Sequence, residues 1–233
     1  MSDSPALPVG VVCDFDGTVT VLDIGDEISR HFGGDAHWQT QKAAFLRHEL
    51  DTRGIILGIY TSVFASEAEV RKFAAEHAVL RKGFLELLSA AHETGAPFIL
   101  ASGGLRQYVE AVLEAHVPEP LRSHIELRAN EGLFGDGPLG VHFPWATRSR
   151  VLGCSSCGTC KRVSVADLRA RGVQKILGIG DGFADRCLLE RSDLAFARKD
   201  SYLARWCTEK KVAHTEFEEL FDAARAVLDT AKR

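Results

Sequence analysis

Three near-continuous apolar runs, each ending abruptly in a polar cluster, constrain this chain more than any other feature. The first, Val11-Val12-Cys13, closes on Asp14-Phe15-Asp16-Gly17-Thr18. The second, Pro97-Phe98-Ile99-Leu100-Ala101, closes on Ser102-Gly103-Gly104, and the third, Ile176-Leu177-Gly178-Ile179, closes on Gly180-Asp181-Gly182 with Asp185 shortly after. Runs without polar alternation fit strands buried on both faces, as in the parallel sheets of α/β proteins. Gly95-Ala96-Pro97 and Gly172 stop the helical segments ahead of the second and third runs, so those helices read as crossover connections. The expected fold is a Rossmann-like, doubly wound, mostly parallel sheet. Ligands of such sheets bind beyond the carboxyl ends of the strands, so the three polar clusters are expected to meet in one crevice.

Asp14 and Asp16 stand two residues apart, a spacing that puts both carboxylates on one face if the strand continues and Gly17 does not turn it first. Two acids that close repel, and folding them together requires a cation or a retained proton. Both remedies serve phosphoryl transfer. Ser102 followed by two glycines offers a hydroxyl and backbone N–H groups to an oxyanion. Lys161 adds a point positive charge, although a lone lysine is more commonly a solvated side chain.

In their order along the chain, DFDGT at Asp14 to Thr18, Ser102 with Gly103, Lys161, and the GDGxxxD run from Gly180 to Asp185 resemble the motifs of the haloacid dehalogenase superfamily of aspartate-nucleophile phosphatases. The resemblance implies that Asp14 attacks phosphorus and that Asp16 acts first as general acid and then as base. It implies that Ser102 and the Gly103 N–H hold phosphoryl oxygens while Lys161 screens negative charge. It also implies Mg2+ on Asp14, on Asp181 and on the backbone carbonyl of Asp16. Asp185 would hold a metal-bound water or orient Lys161.

Between the first and second motifs, residues 24–80 show helical rather than alternating periodicity, and Ser66-Glu67-Ala68-Glu69 matches a capping box. An insertion at this place in the resembled superfamily is a cap, and a helical one suits its phosphoserine-phosphatase-like branch. The expected organisation is a core of residues 1–22 and 81–233 with a helical cap over 23–80. Asp23 and Arg53 are candidate substrate-binding residues, with Arg47 and His48 behind them. Farther on, a helix is expected over Leu105 to His116, a strand near His124 to Arg128 and a hairpin turn over Glu131 to Pro138. A second capping box at Thr215-Glu216-Phe217-Glu218 is expected to open the C-terminal helix.

Cys154, Cys157 and Cys160 crowd before Lys161. Three thiols are one short of a closed tetrahedral zinc site, with His142 or Cys207 as fourth candidates; reduced loop cysteines are the alternative. This crowding, with DFDGTVT and Asp23, is similar to the methionine-salvage branch that dephosphorylates a methylthio hydroxy-keto pentenyl phosphate. Gly17 and Ala184 depart from the serine and asparagine usual in phosphoserine phosphatases. A phosphotransferase or mutase on the same fold is the enzymatic rival, and a non-catalytic cysteine-rich metal-binding module the rival from another class.

The 233 residues carry 45% hydrophobic content and a net charge of -4, which gives a sizeable core and argues against nucleic acid as partner. No apolar stretch reaches the roughly 20 residues of a membrane span. Met1 to Pro8 has neither a basic nor an apolar targeting segment, so cytoplasmic residence and a small phosphorylated metabolite as partner are the expectations.

Overall fold

Seven strands build one sheet: β1 (Leu7–Cys13), β2 (Phe98–Leu105), β3 (Ile125–Leu133), β4 (Gly140–His142), β5 (Val173–Gly180), β6 (Leu194–Arg198) and β7 (Thr215–Phe217). Their spatial order is β4-β3-β2-β1-β5-β6-β7, and every neighbouring pair is parallel except β3 with β4. The computed structural model describes residues 7–154 and 156–232. Most of the N-terminal stretch read for targeting signals, and Ser155 of the cysteine run, lie outside the described residues.

The apolar runs are continuous because two cores share the central strands. Val9, Val11 and Cys13 of β1 face one core together with Phe98, Leu100, Leu177 and Ile179. Val12 faces the other with Ile99, Ala101 and Ile176. Each fully buried aliphatic side chain contributes about 1.5–3 kcal/mol, so a polar residue in either register would weaken the centre of the sheet.

Four helices follow β1: α1 (Ile24–Gly33), α2 (Asp35–Leu46), α3 (Thr52–Tyr60) and α4 (Glu67–His77). Asp23 caps α1 by accepting from the Asp26 N–H, Asp51 caps α3 through the Gly54 N–H, and both halves of the Ser66 capping box are made at α4. Ile55 and Ile56, adjacent β-branched residues, lie within α3, where Ile55, Ile59 and Tyr60 are buried. Next come α5 (Phe84–Thr94), α6 (Arg106–His116) and the short α7 (Glu119–Arg122). The expected strand near Arg128 is longer than its apolar signal, because β3 continues to Leu133 and pairs Glu131 with His142 across the hairpin.

A short α8 (Ala146–Val151) precedes the cysteine run, and α9 (Lys161–Ala170) begins at the lysine itself. Helices α9, α10 (Arg186–Leu189) and α11 (Tyr202–Lys210) cover the second core, whereas α12 (Phe221–Ala231) lies with α5 over the first. One expectation is corrected at the C-terminus. Thr215 to Phe217 form strand β7 beside β6, and the last helix opens at Phe221. The capping-box pattern is local, and pairing with an open sheet edge outweighed it.

The connections into and out of the four-helix segment lie side by side. Val21 donates its N–H to Val79 O, Arg81 N–H donates to Val19 O, and Thr20 bridges Leu80 antiparallel. The Arg81 guanidinium then donates to four carbonyls, those of Thr18 at 2.7 Å, Gly17 at 2.8 Å, Glu218 at 3.0 Å and Thr20 at 3.4 Å. It therefore binds the turn after β1 to the C-terminal region. Arg81→Ala is expected to cost about 2 kcal/mol in denaturant unfolding by stripping these carbonyls of donors. Arg81→Lys should recover only part, since an ammonium lacks the planar fork. A wild-type unfolding midpoint for Arg81→Ala would contradict this.

Candidate active site

The turn after β1 separates the two acids it carries. The Phe15 carbonyl accepts N–H donors from Thr18 at 3.2 Å, Val19 at 2.8 Å and Thr20 at 3.0 Å, which coils the chain immediately beyond Asp16. Gly17 makes the turn at φ +74°, and a Cβ there would stand 2.5 Å from Asp181 Oδ2. Both acids still line one cavity of about 190 Å³, but with different partners.

Asp14 meets Lys161, whose Nζ donates to Asp14 Oδ1 at 2.5 Å and also to Asp185 Oδ1. All three side chains are buried. Lys161 is the first residue of α9, where the helix dipole disfavours a cation. Burial also works against its charge, yet the Asp14 and Asp185 carboxylates outweigh both and raise its pKa above the ordinary lysine value. Asp185 uses its second oxygen to accept from the Asp181 and Gly182 N–H groups at 3.1 and 2.9 Å. It is thereby committed to shaping the loop and holding the lysine.

Asp181 accepts from Thr18 Oγ1 at 3.2 Å and faces Arg198 Nη2 at 3.5 Å. Burial first, and the Asp185 charge second, push the pKa values of Asp14 and Asp181 upward. Carboxylate oxygens of Asp14, Asp181 and Asp185 lie within 4.8 Å of one another, the one such convergence of potential metal ligands among the described residues. An all-oxygen set with uncompensated negative charge fits Mg2+.

Asp16 stands apart from that cluster. Its Oδ1 accepts from Ile24 N–H at 3.0 Å, and its Oδ2 accepts from Tyr108 Oη at 2.7 Å and Ser102 Oγ at 3.2 Å. Burial raises its pKa to about 6 against these hydrogen bonds. Ser102 is fully buried, and its Oγ also accepts from the Gly104 N–H at 2.8 Å. Its hydroxyl is thus turned to Asp16, while Gly103 lines the cavity.

Asp23 lines the cavity mouth and is at the same time the cap of α1. Arg53 is not among the lining residues: its guanidinium lies 4.6 Å from the Phe143 ring and its N–H donates to Ser156 O. Helix α3 thereby meets the cysteine run. Cys154, Cys157 and Cys160 are free thiols and do not converge as the carboxylates do among the described residues. Both candidates for a fourth ligand are engaged elsewhere, His142 Nδ1 with Glu131 and Cys207 in the second core. Sequence reasoning missed Tyr108, Tyr60, Lys42 and the apolar side chains Phe45, Ile56 and Ile59 that form the roof. Helical periodicity alone marked the last three as core.

A family model described as haloacid dehalogenase-like hydrolase matches residues 11–190. The 2-hydroxy-3-keto-5-methylthiopentenyl-1-phosphate phosphatase of Bacillus pumilus is 28% identical over 213 residues, which is 91% of this chain and 87% of that protein. The enzyme of the same name from Exiguobacterium sp. is 29% identical over 91% of this chain and 94% of its own length. The bifunctional enzyme MtnB/MtnX of Bacillus licheniformis is 29% identical, and this chain spans 50% of its length. Among solved structures, a phospho-aspartyl intermediate analogue of phosphoserine phosphatase superposes with a TM-score of 0.71 at 17% identity, covering 94% of this chain and 97% of that one.

With divalent ions chelated, the raised carboxyls make folding take up protons. A carboxyl lifted from 3.8 to about 6, as at Asp16, contributes stability that is fully present below pH 3.8 and lost as pH rises through about 6. Between about pH 5 and about pH 7.5 the loss for that one group is roughly 1.4 kcal/mol. Unfolding midpoints in chelator are expected to fall over this interval, and Asp16→Asn should flatten the fall. A wild-type midpoint that rises instead would contradict the charge arrangement.

Proposed function

The chain belongs to the haloacid dehalogenase-like hydrolase family, and from that premise we propose that it is a magnesium-dependent phosphomonoesterase working through an aspartyl-phosphate on Asp14. The observation that carries the reading is the division of labour at the end of β1. Asp14 sits with Lys161 among the converging carboxylates, whereas Asp16 is held separately by neutral donors.

In the proposed reaction an Asp14 oxygen attacks phosphorus, forming an acyl-phosphate bond as the bond to the leaving oxygen breaks. Asp16 gives its proton to that leaving alkoxide, then takes one from the water that attacks phosphorus in the second step. Free phosphate departs and Asp14 is restored. Lys161 and Gly103 line the cavity, and in this reading Lys161 and the Gly103 N–H meet phosphoryl oxygens while Ser102 reaches them by turning its hydroxyl from Asp16. Asp14, Asp181 and the Asp16 carbonyl would hold magnesium, which when bound offsets the negative charge shared by carboxylates and phosphate. The proposed reaction requires no zinc on the cysteine run.

For the leaving group, the apolar roof of Phe45, Ile55, Ile56 and Ile59 supports an uncharged chain. Phosphoserine brings an ammonium and a carboxylate, for which the lining offers chiefly Asp23 and Lys42. The names of the Bacillus pumilus and Exiguobacterium relatives point the same way, toward a methylthio hydroxy-keto pentenyl phosphate. Residues 23–80 are proposed to act as a cap that closes over such a small metabolite.

Two measurements test this. Phosphate release from an aryl phosphate is expected to require magnesium or a similar divalent ion and to vanish in a folded Asp14→Asn variant; full turnover in chelator would contradict the mechanism. Compared by kcat/KM, the methylthio hydroxy-keto phosphate is expected to exceed phosphoserine by about tenfold or more, since burying an ammonium or carboxylate against an apolar roof is penalised. A preference for phosphoserine would overturn the substrate assignment.

A further inference from the structure

The shortest hydrogen bond to Asp16 comes from Tyr108, a residue no motif contains. Its hydroxyl lies 2.7 Å from Oδ2, the side chain is 1% exposed, and its ring packs 6.3 Å from that of Phe15. Space for this contact is cleared from two sides. A Cβ on Gly104 would stand 1.5 Å from the Tyr108 hydroxyl and 2.9 Å from Asp16 Oδ2. On α1, a Cβ on Gly25 would stand 3.1 Å from the same hydroxyl and 3.0 Å from that of Tyr60. Tyr60, at the end of α3 and likewise 1% exposed, therefore brings its hydroxyl to the same point.

We infer that Tyr108, backed by Tyr60, is a positioning residue for Asp16 that selects which carboxyl oxygen delivers the proton and ties that aim to the seating of α3. Oδ2 accepts from Tyr108 and Ser102, and once Ser102 turns its hydroxyl to a phosphoryl oxygen Tyr108 is the donor that still holds Oδ2 as a carbonyl-type acceptor. Oδ1 accepts from the Ile24 N–H, the first residue of α1, and is left to carry the acidic proton. Without the Tyr108 hydroxyl, Oδ2 then has no hydroxyl donor and the proton no longer has one preferred seat. Because Tyr60 belongs to the helical segment and Tyr108 to α6, the acid is aimed fully only when both elements are in place.

The inference rests on Asp16 as general acid, and leaving-group dependence separates the two claims. A p-nitrophenolate leaves with little proton assistance, whereas a butoxide requires it. With saturating magnesium, Tyr108→Phe is expected to lower kcat/KM for butyl phosphate by about tenfold and for p-nitrophenyl phosphate by less than about threefold. Asp16→Asn should split the two substrates further, and Tyr60→Phe should split them in the same sense but less. Thermal melting establishes that each variant is folded, and Tyr60→Phe carries the test if Tyr108→Phe is not. Equal loss on both substrates in the folded tyrosine variants, with Asp16→Asn still splitting them, would overturn the positioning role alone. Failure of Asp16→Asn to split them would overturn the general-acid assignment and this inference with it.

Discussion

Lys161, buried between Asp14 and Asp185, is the interaction on which the rest of the site depends. Two carboxylates whose oxygens lie within 4.8 Å of each other repel by about 3 kcal/mol or more at the effective dielectric typical of protein sites. Three such groups on strand-end loops therefore press against a net folding stability of only about 5–15 kcal/mol. One ammonium, placed at a helix N-terminus where it is otherwise unwelcome, lets Asp14 and Asp185 coexist. Against three carboxylates, Lys161 and Arg198, which faces Asp181 at 3.5 Å, supply two positive charges and leave one negative charge over. That remainder is what the proposed divalent ion would neutralise.

The fold supplies this arrangement through its central strand. Because β1 lies between β2 and β5, Asp14, Ser102 and Asp181 emerge side by side from three neighbouring strands. Arg81 fixes the turn that carries the acids, and the same stretch of chain leads into and out of the four helices above the cavity. Closure of those helices as the proposed cap would therefore be felt at the loop bearing Asp14 and Asp16. The roof is apolar and the floor charged, so closure would dry the site and strengthen every interaction with the phosphoryl group.

Much of this was legible in the sequence, for a physical reason. Strands buried on both faces must be apolar throughout, so Val11 to Cys13, Phe98 to Ala101 and Ile176 to Ile179 announced themselves, and the polar residues ending them stood out. The partners supplied by helices did not. Tyr108 and Tyr60 sit at positions that helical periodicity assigns to core, and only the fold brings their hydroxyls to Asp16. Arg81 resembles any charged residue before a helix until its four carbonyl partners are known. Arg53 is a substrate-binding candidate from its place in the helical insertion, and its guanidinium lies on the Phe143 ring, a contact that nothing local in the sequence records. At Thr215 a genuine capping pattern lost to strand pairing, which no local pattern records.

The claim at the centre is that Asp14 becomes covalently phosphorylated while Asp16 does not. Single turnover of a phosphomonoester with magnesium, quenched in acid within the reaction time and followed by peptide mass spectrometry, measures this directly. The account predicts one phosphoryl group on the peptide bearing Asp14, assigned by fragmentation to that residue and absent from Asp14→Asn. Phosphate released at full rate with no phosphorylated peptide at any time, or a phosphoryl group on a residue other than Asp14, would contradict it.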